Sequence, residues 1–169
     1  MKSIHLITPP SRQRGVTLIV ALIFLAILML LGVTVAQTTS MEERMAGNTR
    51  DRNLALQSAE AALKAADTAL KALPKDGAGN ITTVFNGSTA GYVTYNAANA
   101  SDAAYWNTYN WAGASHSAGT ALSQVVSQPL YVIEKLPDVA TTQRFRVTAR
   151  GVGASTSTVV ILQAGYENN

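Results

Sequence analysis

The sequence of 169 residues contains no cysteine. Disulfide bridges, a thiol nucleophile and the usual cysteine-based zinc sites are therefore excluded. Histidine is almost as scarce, because the chain has only His5 and His116. A histidine metal site or a catalytic triad thus has too few candidate residues. We predict a protein that is not an enzyme, with no catalytic residue, no metal ion and no cofactor.

Acidic residues are missing from the first fifteen positions, which contain Lys2, Arg12 and Arg14. The whole chain has a formal net charge of +3 and a pI near 9.3. These three residues account for the whole surplus, and the remaining body has ten basic and ten acidic residues. Since the body lacks a positive field that would attract phosphates, no nucleic-acid partner is expected.

An uncharged apolar run occupies residues 16–36. At about 1.5 Å per residue, a helix of this length covers roughly 30 Å, the thickness of a bilayer core. The basic leader precedes the run, whereas the first charges after it cancel. The positive-inside rule therefore places the leader in the cytoplasm and the C-terminal part across the membrane.

Three interpretations of this segment compete. A secretory signal peptide would end at Thr34-Val35-Ala36, but its apolar region is typically only about 7–15 residues long. An uncut single-pass anchor is the second possibility. Neither explains why charge stops at Arg14-Gly15 and apolarity begins at Val16, and we therefore favour cleavage after Gly15.

An amphipathic helix is predicted over residues 37–73, where apolar and small residues recur at three- and four-residue spacing. Ser40 and Glu43 match a capping box, and Gly47 is unfavourable inside a helix, so one or two weak points are expected. Pro74 ends the pattern. The predicted inner face comprises Met41, Met45, Leu56, Ala59, Leu63, Ala66, Leu70 and Leu73.

Residues 74–129 read as a partly irregular connection with a cluster of aromatic residues, and His116 is predicted to lie in a loop. The aromatic residues either cover a small core, which we favour, or form an exposed partner surface. Strands are predicted at residues 130–136, 143–150 and 156–163. An α+β fold follows, in which an antiparallel sheet within residues 130–169 packs on the second half of the long helix. The aromatic residues are Tyr92, Tyr95, Tyr105, Trp106, Tyr109 and Trp111.

The chain resembles the PilX-type minor pilins of type IV pili. The resemblance rests on the leader ending in Gly15, on the apolar run, on the segment MEERMAGN at residues 41–48 and on RDRNLA at residues 50–55. The closing segments RVTARGVG at residues 146–153 and TVVILQ at residues 158–163 are also similar to that family.

The resemblance implies a prepilin of the inner membrane of a Gram-negative bacterium, with its head in the periplasm before it joins a surface pilus. It implies cleavage between Gly15 and Val16 by prepilin peptidase, and methylation of the new amine on Val16. It also implies that the N-terminal helix contacts other minor pilins and the major pilin. Pilus assembly, twitching motility and adhesion are the expected roles, and the family is similar to the tip pseudopilin of type II secretion.

One position departs from the pilin pattern, because most pilins carry a glutamate at the fifth place after the cleavage site and this chain has Val20. An unpaired carboxylate in an apolar bundle is very costly, and major pilins tolerate it by neutralising the terminal amine of a neighbour. A chain without it is best placed first, at the fibre tip.

The sequence thus predicts five segments. They are the leader 1–15, the membrane and assembly helix 16–36, its amphipathic continuation 37–73, the connection 74–129 and the sheet 130–169. A charged group after the apolar run is either a docking surface for other minor pilins or a solvated helix turn. It comprises Glu42, Glu43, Arg44, Arg50, Asp51 and Arg52. The remaining alternative from another class is an uncleaved membrane protein whose periplasmic head binds a ligand.

Overall fold

The computed structural model describes residues 14–97, 102–119 and 121–168. The chain divides into two compact units, Met1–Ala46 and Gly47–Asn169, which we call the N-terminal unit and the head. Within the described residues the helices and strands are α1 (Arg14–Lys71), β1 (Tyr92–Thr94), α2 (Ala103–Thr108), α3 (Trp111–Ala114), β2 (His116–Ser117), β3 (Leu130–Lys135), β4 (Gln143–Val152) and β5 (Val159–Asn168).

Helix α1 is a single helix of 58 residues and confirms the predicted long N-terminal helix. No proline occurs between Pro10 and Pro74, so nothing in the sequence removes a helical N–H in this interval. The predicted capping box at Ser40 and Glu43 is wrong. The helix continues through both residues, where backbone amides have acceptors one turn earlier and need no cap.

The buried face of α1 in the head is built from small residues. Of the predicted inner positions, Ala59, Ala66 and Leu70 are buried. Three predicted inner residues were wrongly placed, because Leu56 is 37% exposed, and Met41 and Met45 of the N-terminal unit are 66% and 63% exposed. The face that contacts the sheet is offset by one residue from the predicted one. The sheet packs on a row of alanines, which we call the alanine stripe, and not on the larger Leu56. It comprises Ala55, Ser58, Ala59, Ala62, Ala66 and Leu70.

The sheet has five strands in the order β1-β3-β4-β5, with β2 paired to another part of β3. The pairs β3·β4 and β4·β5 are antiparallel as predicted. The prediction of a purely antiparallel sheet is wrong, however, because β1 runs parallel to β3. The connection from Tyr95 to Pro129 contains α2 and α3 and is long enough for the crossover that a parallel pair requires.

Strand β5 begins at Val159, three residues later than predicted. The preceding residues form the turn after β4 instead. Gly153 N–H donates to the carbonyl of Thr158 at 3.0 Å, and Thr158 N–H donates to the carbonyl of Ser155 at 3.2 Å. The polar segment that looked like the start of a strand is thus used to close the β4–β5 hairpin.

Each face of the sheet carries a core. On the inner face, Ala62, Ala66 and Leu70 of α1 pack against β3 and β4, with Phe145 and Ile133 among the largest buried side chains. On the outer face, Trp106 and Trp111 pack against Val132, and their rings are 3% and 7% exposed. The prediction that the aromatic cluster covers a core is confirmed for these two residues.

His116 lies in β2 and not in a loop, so this prediction is wrong. Its ring contacts Tyr92 and Tyr131, with centroid distances of 4.8 and 5.4 Å. Burial lowers the pKa of His116, because the charged imidazolium loses solvation between these rings. The short strand was not visible in the sequence because two residues carry no periodicity.

The head is tightly packed where β4 crosses α1. A Cβ atom added to Gly151 would lie 2.1 Å from the carbonyl oxygen of Ala55 and 2.3 Å from the backbone nitrogen of Ala59. Both alanines are fully buried. This close contact therefore requires glycine at position 151 of β4 and alanine, the smallest chiral residue, at positions 55 and 59 of α1.

We predict that Gly151→Ala lowers the free energy of unfolding of the head by about 1–3 kcal/mol, the usual cost of overpacking. Chemical denaturation of the full chain in detergent measures this change. Gly165→Ala is the matched control, since a Cβ there meets nothing within 4 Å. The control should be neutral or stabilising by up to about 1 kcal/mol. Equal losses from both variants would contradict the tight contact.

Candidate functional site

The N-terminal unit presents an apolar helical surface. The side chains of Val16, Leu18 and Val20 are 67%, 71% and 54% exposed. This part of α1 is long and apolar enough to cross a membrane, and none of its most apolar window is buried within the chain. Such a surface needs lipid or other apolar helices to cover it.

The few polar side chains near the end of this surface are satisfied within the helix. The hydroxyls of Thr34, Thr38 and Thr39 donate to the carbonyls four residues earlier at 3.0, 3.0 and 3.1 Å. A hydroxyl bonded in this way costs little in an environment without water. These three threonines are therefore compatible with an apolar environment.

The predicted processing residues lie at the start of α1. Gly15 and Val16 follow its first residue, Arg14, and the helix continues through Val20. Lys2 and Arg12 lie outside the described residues, as does the side chain of Arg14. Cleavage and methylation thus stay predictions from sequence.

The predicted docking charges separate into two groups. Glu42, Glu43 and Arg44 belong to the N-terminal unit, whereas Arg50, Asp51 and Arg52 belong to the head. All except Asp51 are exposed. Exposure fits a docking surface and a solvated helix turn equally, so a docking role for the exposed residues stays a prediction.

Asp51 has a role inside the head. Its Oδ1 accepts hydrogen bonds from the backbone N–H groups of Ala154 and Ser155, the latter at 3.2 Å. The hydrogen bond from the Thr158 side chain is the main reason that the pKa of Asp51 lies below its usual range. The carboxylate thereby fastens the β4–β5 turn to α1. Gly153 makes room for it, because a Cβ there would lie 2.2 Å from Oδ1.

A buried ion pair on the outer face of the sheet was not predicted. Glu134 and Arg146 are cross-strand partners, and Arg146 Nε donates to Glu134 Oε2 at 2.8 Å. Their side chains are only 5% and 13% exposed. Burial raises the pKa of Glu134, and the hydrogen bond from Arg146 opposes that rise. The ring of Tyr95 lies 5.4 Å from the guanidinium carbon.

The two opposite charges of the pair compensate each other inside the sheet, so neither is left buried without a partner. The sequence did contain a signal for it, namely a single carboxylate in the apolar strand LYVIEK. Among the described residues, no three His, Cys, Asp or Glu side chains are grouped as a metal site requires.

An apolar N-terminal helix followed by a small α+β head defines a pilin-like protein. The family model described as PilX N-terminal matches residues 14–64, and the one described as Type IV pilus assembly protein PilX C-term matches residues 74–168. The chain therefore belongs to the PilX family of type IV pilus assembly minor pilins. No curated protein and no solved structure matches it.

Membership confirms the resemblance to this family. The second match also extends to the middle segment, residues 74–129, for which the sequence suggested no relative. As a minor pilin, the protein is a structural component that interacts with other pilus components during assembly. The exposed apolar helix and the family together support membrane anchoring and association with the pilus.

We predict that Asp51→Asn destabilises the head at neutral pH. The folded-state pKa of Asp51 is depressed, so its contribution is present above the unfolded pKa and is lost as pH falls through the folded pKa. Thermal unfolding from pH 7 to pH 2 should therefore show a gap between wild type and variant that narrows on acidification. The control is Asp138→Asn, which removes an exposed ion pair with Lys135 and should change stability by at most about 1 kcal/mol. A gap that stays constant with pH would contradict the role of the charge.

Proposed function

We propose that the chain is made as an inner-membrane prepilin, cleaved after Gly15, and placed first in the fibre, where it initiates a type IV pilus. Twitching motility and adhesion then depend on it through the pilus. The observation that carries this proposal is an exposed apolar helix with Val20, rather than a carboxylate, at its fifth mature position.

The junction at Gly15 supports cleavage by prepilin peptidase. Basic residues stop at Arg14, and the next charge after it is Glu42. This abrupt change from a charged leader to an apolar helix would place the bond after Gly15 at the cytoplasmic face, within reach of a membrane peptidase that acts there. Methylation of the Val16 amine would follow cleavage. Before cleavage the leader is cytoplasmic and the head periplasmic, as the positive-inside rule requires.

Val20 supports a position at the tip. A subunit that joins beneath an existing one can use a carboxylate at this position to neutralise the amine above it. This chain cannot, because a valine offers no charge. The first subunit has no subunit above it, so the missing carboxylate costs it nothing. Contacts with other minor pilins and the major pilin are then made through the sides and lower end of the apolar helix.

The type IV pilus is favoured over the type II secretion pseudopilus by the description of the model that matches the head. The uncleaved membrane protein with a ligand-binding head is the alternative that the next experiment tests.

We expect the mature chain from sheared pili to begin at Val16, and intact-protein mass spectrometry measures this directly. Gly15→Leu should block cleavage, because the bulky side chain replaces the glycine before the scissile bond, and should keep the chain out of sheared fibres. Gly32→Ala is the control, since a Cβ at Gly32 meets nothing within 4 Å and the cleavage junction is unchanged. A wild-type chain that retains residues 1–15 in the membrane fraction and is absent from sheared fibres would establish the uncleaved anchor instead.

We also expect wild-type protein at fibre tips in immunogold micrographs of sheared pili. Val20→Glu should redistribute the label along the shaft, because the new carboxylate can neutralise the amine of a preceding subunit. Val20→Leu keeps the position apolar and should leave the label at the tip. Wild-type label along the whole shaft is the result that rejects initiation.

A further inference from the structure

Strand β5 ends the sheet. Within the described residues, β4 is the only strand that pairs with it. The pairing runs without a bulge over ten residues, from Val152↔Val159 to Gln143↔Asn168. One side of a long, regular strand therefore lacks a strand partner in the described part of the chain.

The register between β4 and β5 determines which backbone groups of β5 point toward β4 and which point away from it. Gly153 N–H donates to the carbonyl of Thr158, so this is a hydrogen-bonded pair. Antiparallel pairs alternate between bonded and non-bonded, which places Val160 and Leu162 in bonded pairs with β4. The backbone groups of Val159, Ile161 and Gly165 consequently point away from the sheet.

The edge lacks the usual protection against pairing. Natural edge strands are blocked by lysine, proline, inward charges or bulges. From Val159 to Tyr166 the strand contains no Asp, Glu, Lys, Arg or Pro, and its first charge is Glu167. An edge of this length and composition is a ready template for pairing with another extended chain.

A pocket lies beside the same strand. It has a volume of about 290 Å³ and is formed by α2 on one side and by alternate side chains of β5 on the other. This volume lies at the lower end of the range of small-molecule sites, roughly 300–1,000 Å³, and it is large enough for one apolar side chain. None of the described residues that line it is charged, and Gln163 is held by a 3.0 Å hydrogen bond from its Nε2 to Thr148 Oγ1. The lining residues are Ala103, Trp106, Asn107, Val159, Ile161 and Gln163.

We propose that β5 and α2 form a binding groove for an extended peptide segment of another protein, which adds to the sheet as a sixth strand. The segment hydrogen-bonds to the outward backbone groups of Val159, Ile161 and Gly165. It places one neutral apolar side chain in the pocket beside α2.

The chemistry of the groove selects this occupant. Backbone groups along an open edge are matched by an extended chain, and pockets at alternate positions of the strand supply specificity in strand addition. The uncharged lining makes burial of a charged side chain costly, whereas an apolar side chain gains from the contact with Ile161 and Trp106. The inference is independent of cleavage and of a position at the tip, because it depends only on the head.

The test uses the full chain in detergent and a phage-displayed library of random octapeptides. Retained peptides are synthesised, and their dissociation constants are measured by isothermal titration calorimetry. We expect binders with a neutral apolar residue at a fixed position. Hydrogen exchange at the amides of Val159, Ile161 and Gly165 should slow when such a peptide binds.

Two matched pairs of variants locate the binding. Gly165→Pro removes an outward-facing donor and should weaken binding by roughly tenfold, while Gly165→Ala keeps the donor and should bind as wild type. Ala103→Leu fills the pocket and should weaken binding similarly. Ala104→Leu changes an exposed neighbour that does not line the pocket and should have no effect.

Thermal unfolding of all four variants verifies that each head is folded. The proposal is overturned if the library yields no binder, or if the binders are insensitive to both Gly165→Pro and Ala103→Leu. It is also overturned if exchange slows elsewhere in the head while β5 is unaffected.

Discussion

The approach of two backbones at Gly151 sets the geometry of the head. The positions of Ala55 and Ala59 relative to Gly151 leave no space for even a methyl group on the strand. Because β4 pairs with both β3 and β5, the distance between α1 and β4 at Gly151 also constrains the distance between α1 and these neighbouring strands. The alanine stripe of α1 is thus a requirement of close packing, and it explains why Leu56 is turned away from the sheet.

Polar contacts take the place of covalent links in a chain without cysteine. At one end of the sheet, Asp51 binds the β4–β5 turn to α1. At the other end, the side chain of Gln143 accepts from Ile81 N–H at 2.6 Å and donates to its carbonyl at 3.2 Å, like a short strand pair. Asn168 donates to Gln143 at 3.2 Å and accepts from Lys75 Nζ at 2.6 Å. The segment after α1 and the last described residue of β5 are therefore tied to β4.

The long helix, the three main strands and the family could be predicted from the sequence, because each depends on local patterns or on motifs. The alternation of Phe145, Val147 and Ala149 is an example, since all three are buried as their spacing indicates. Strand β1 was missed, because a three-residue strand gains its stability from pairing with β3 about forty positions later. The tie between Gln143 and Ile81 was equally invisible, because nothing in the composition of either segment indicates a partner 62 residues away.

Val20 affects which partners the apolar part of α1 can take. In the apolar part of α1 the hydroxyls of Thr34, Thr38 and Thr39 donate within the helix, and no charge lies between Val16 and Glu42, so the segment presents the same uncharged surface to lipid and to neighbouring helices. A carboxylate at position 20 would break that equivalence, because it would be costly in lipid and favourable only beside an amine. With valine there, transfer from membrane to fibre requires no ion pair from this side chain. The amine of a processed Val16 would still be able to receive a carboxylate from the subunit added next. Under the proposed processing, the chain could be joined from below by a pilin that carries the glutamate, but it could not itself neutralise a subunit above, and this asymmetry is the basis of the proposed initiating role.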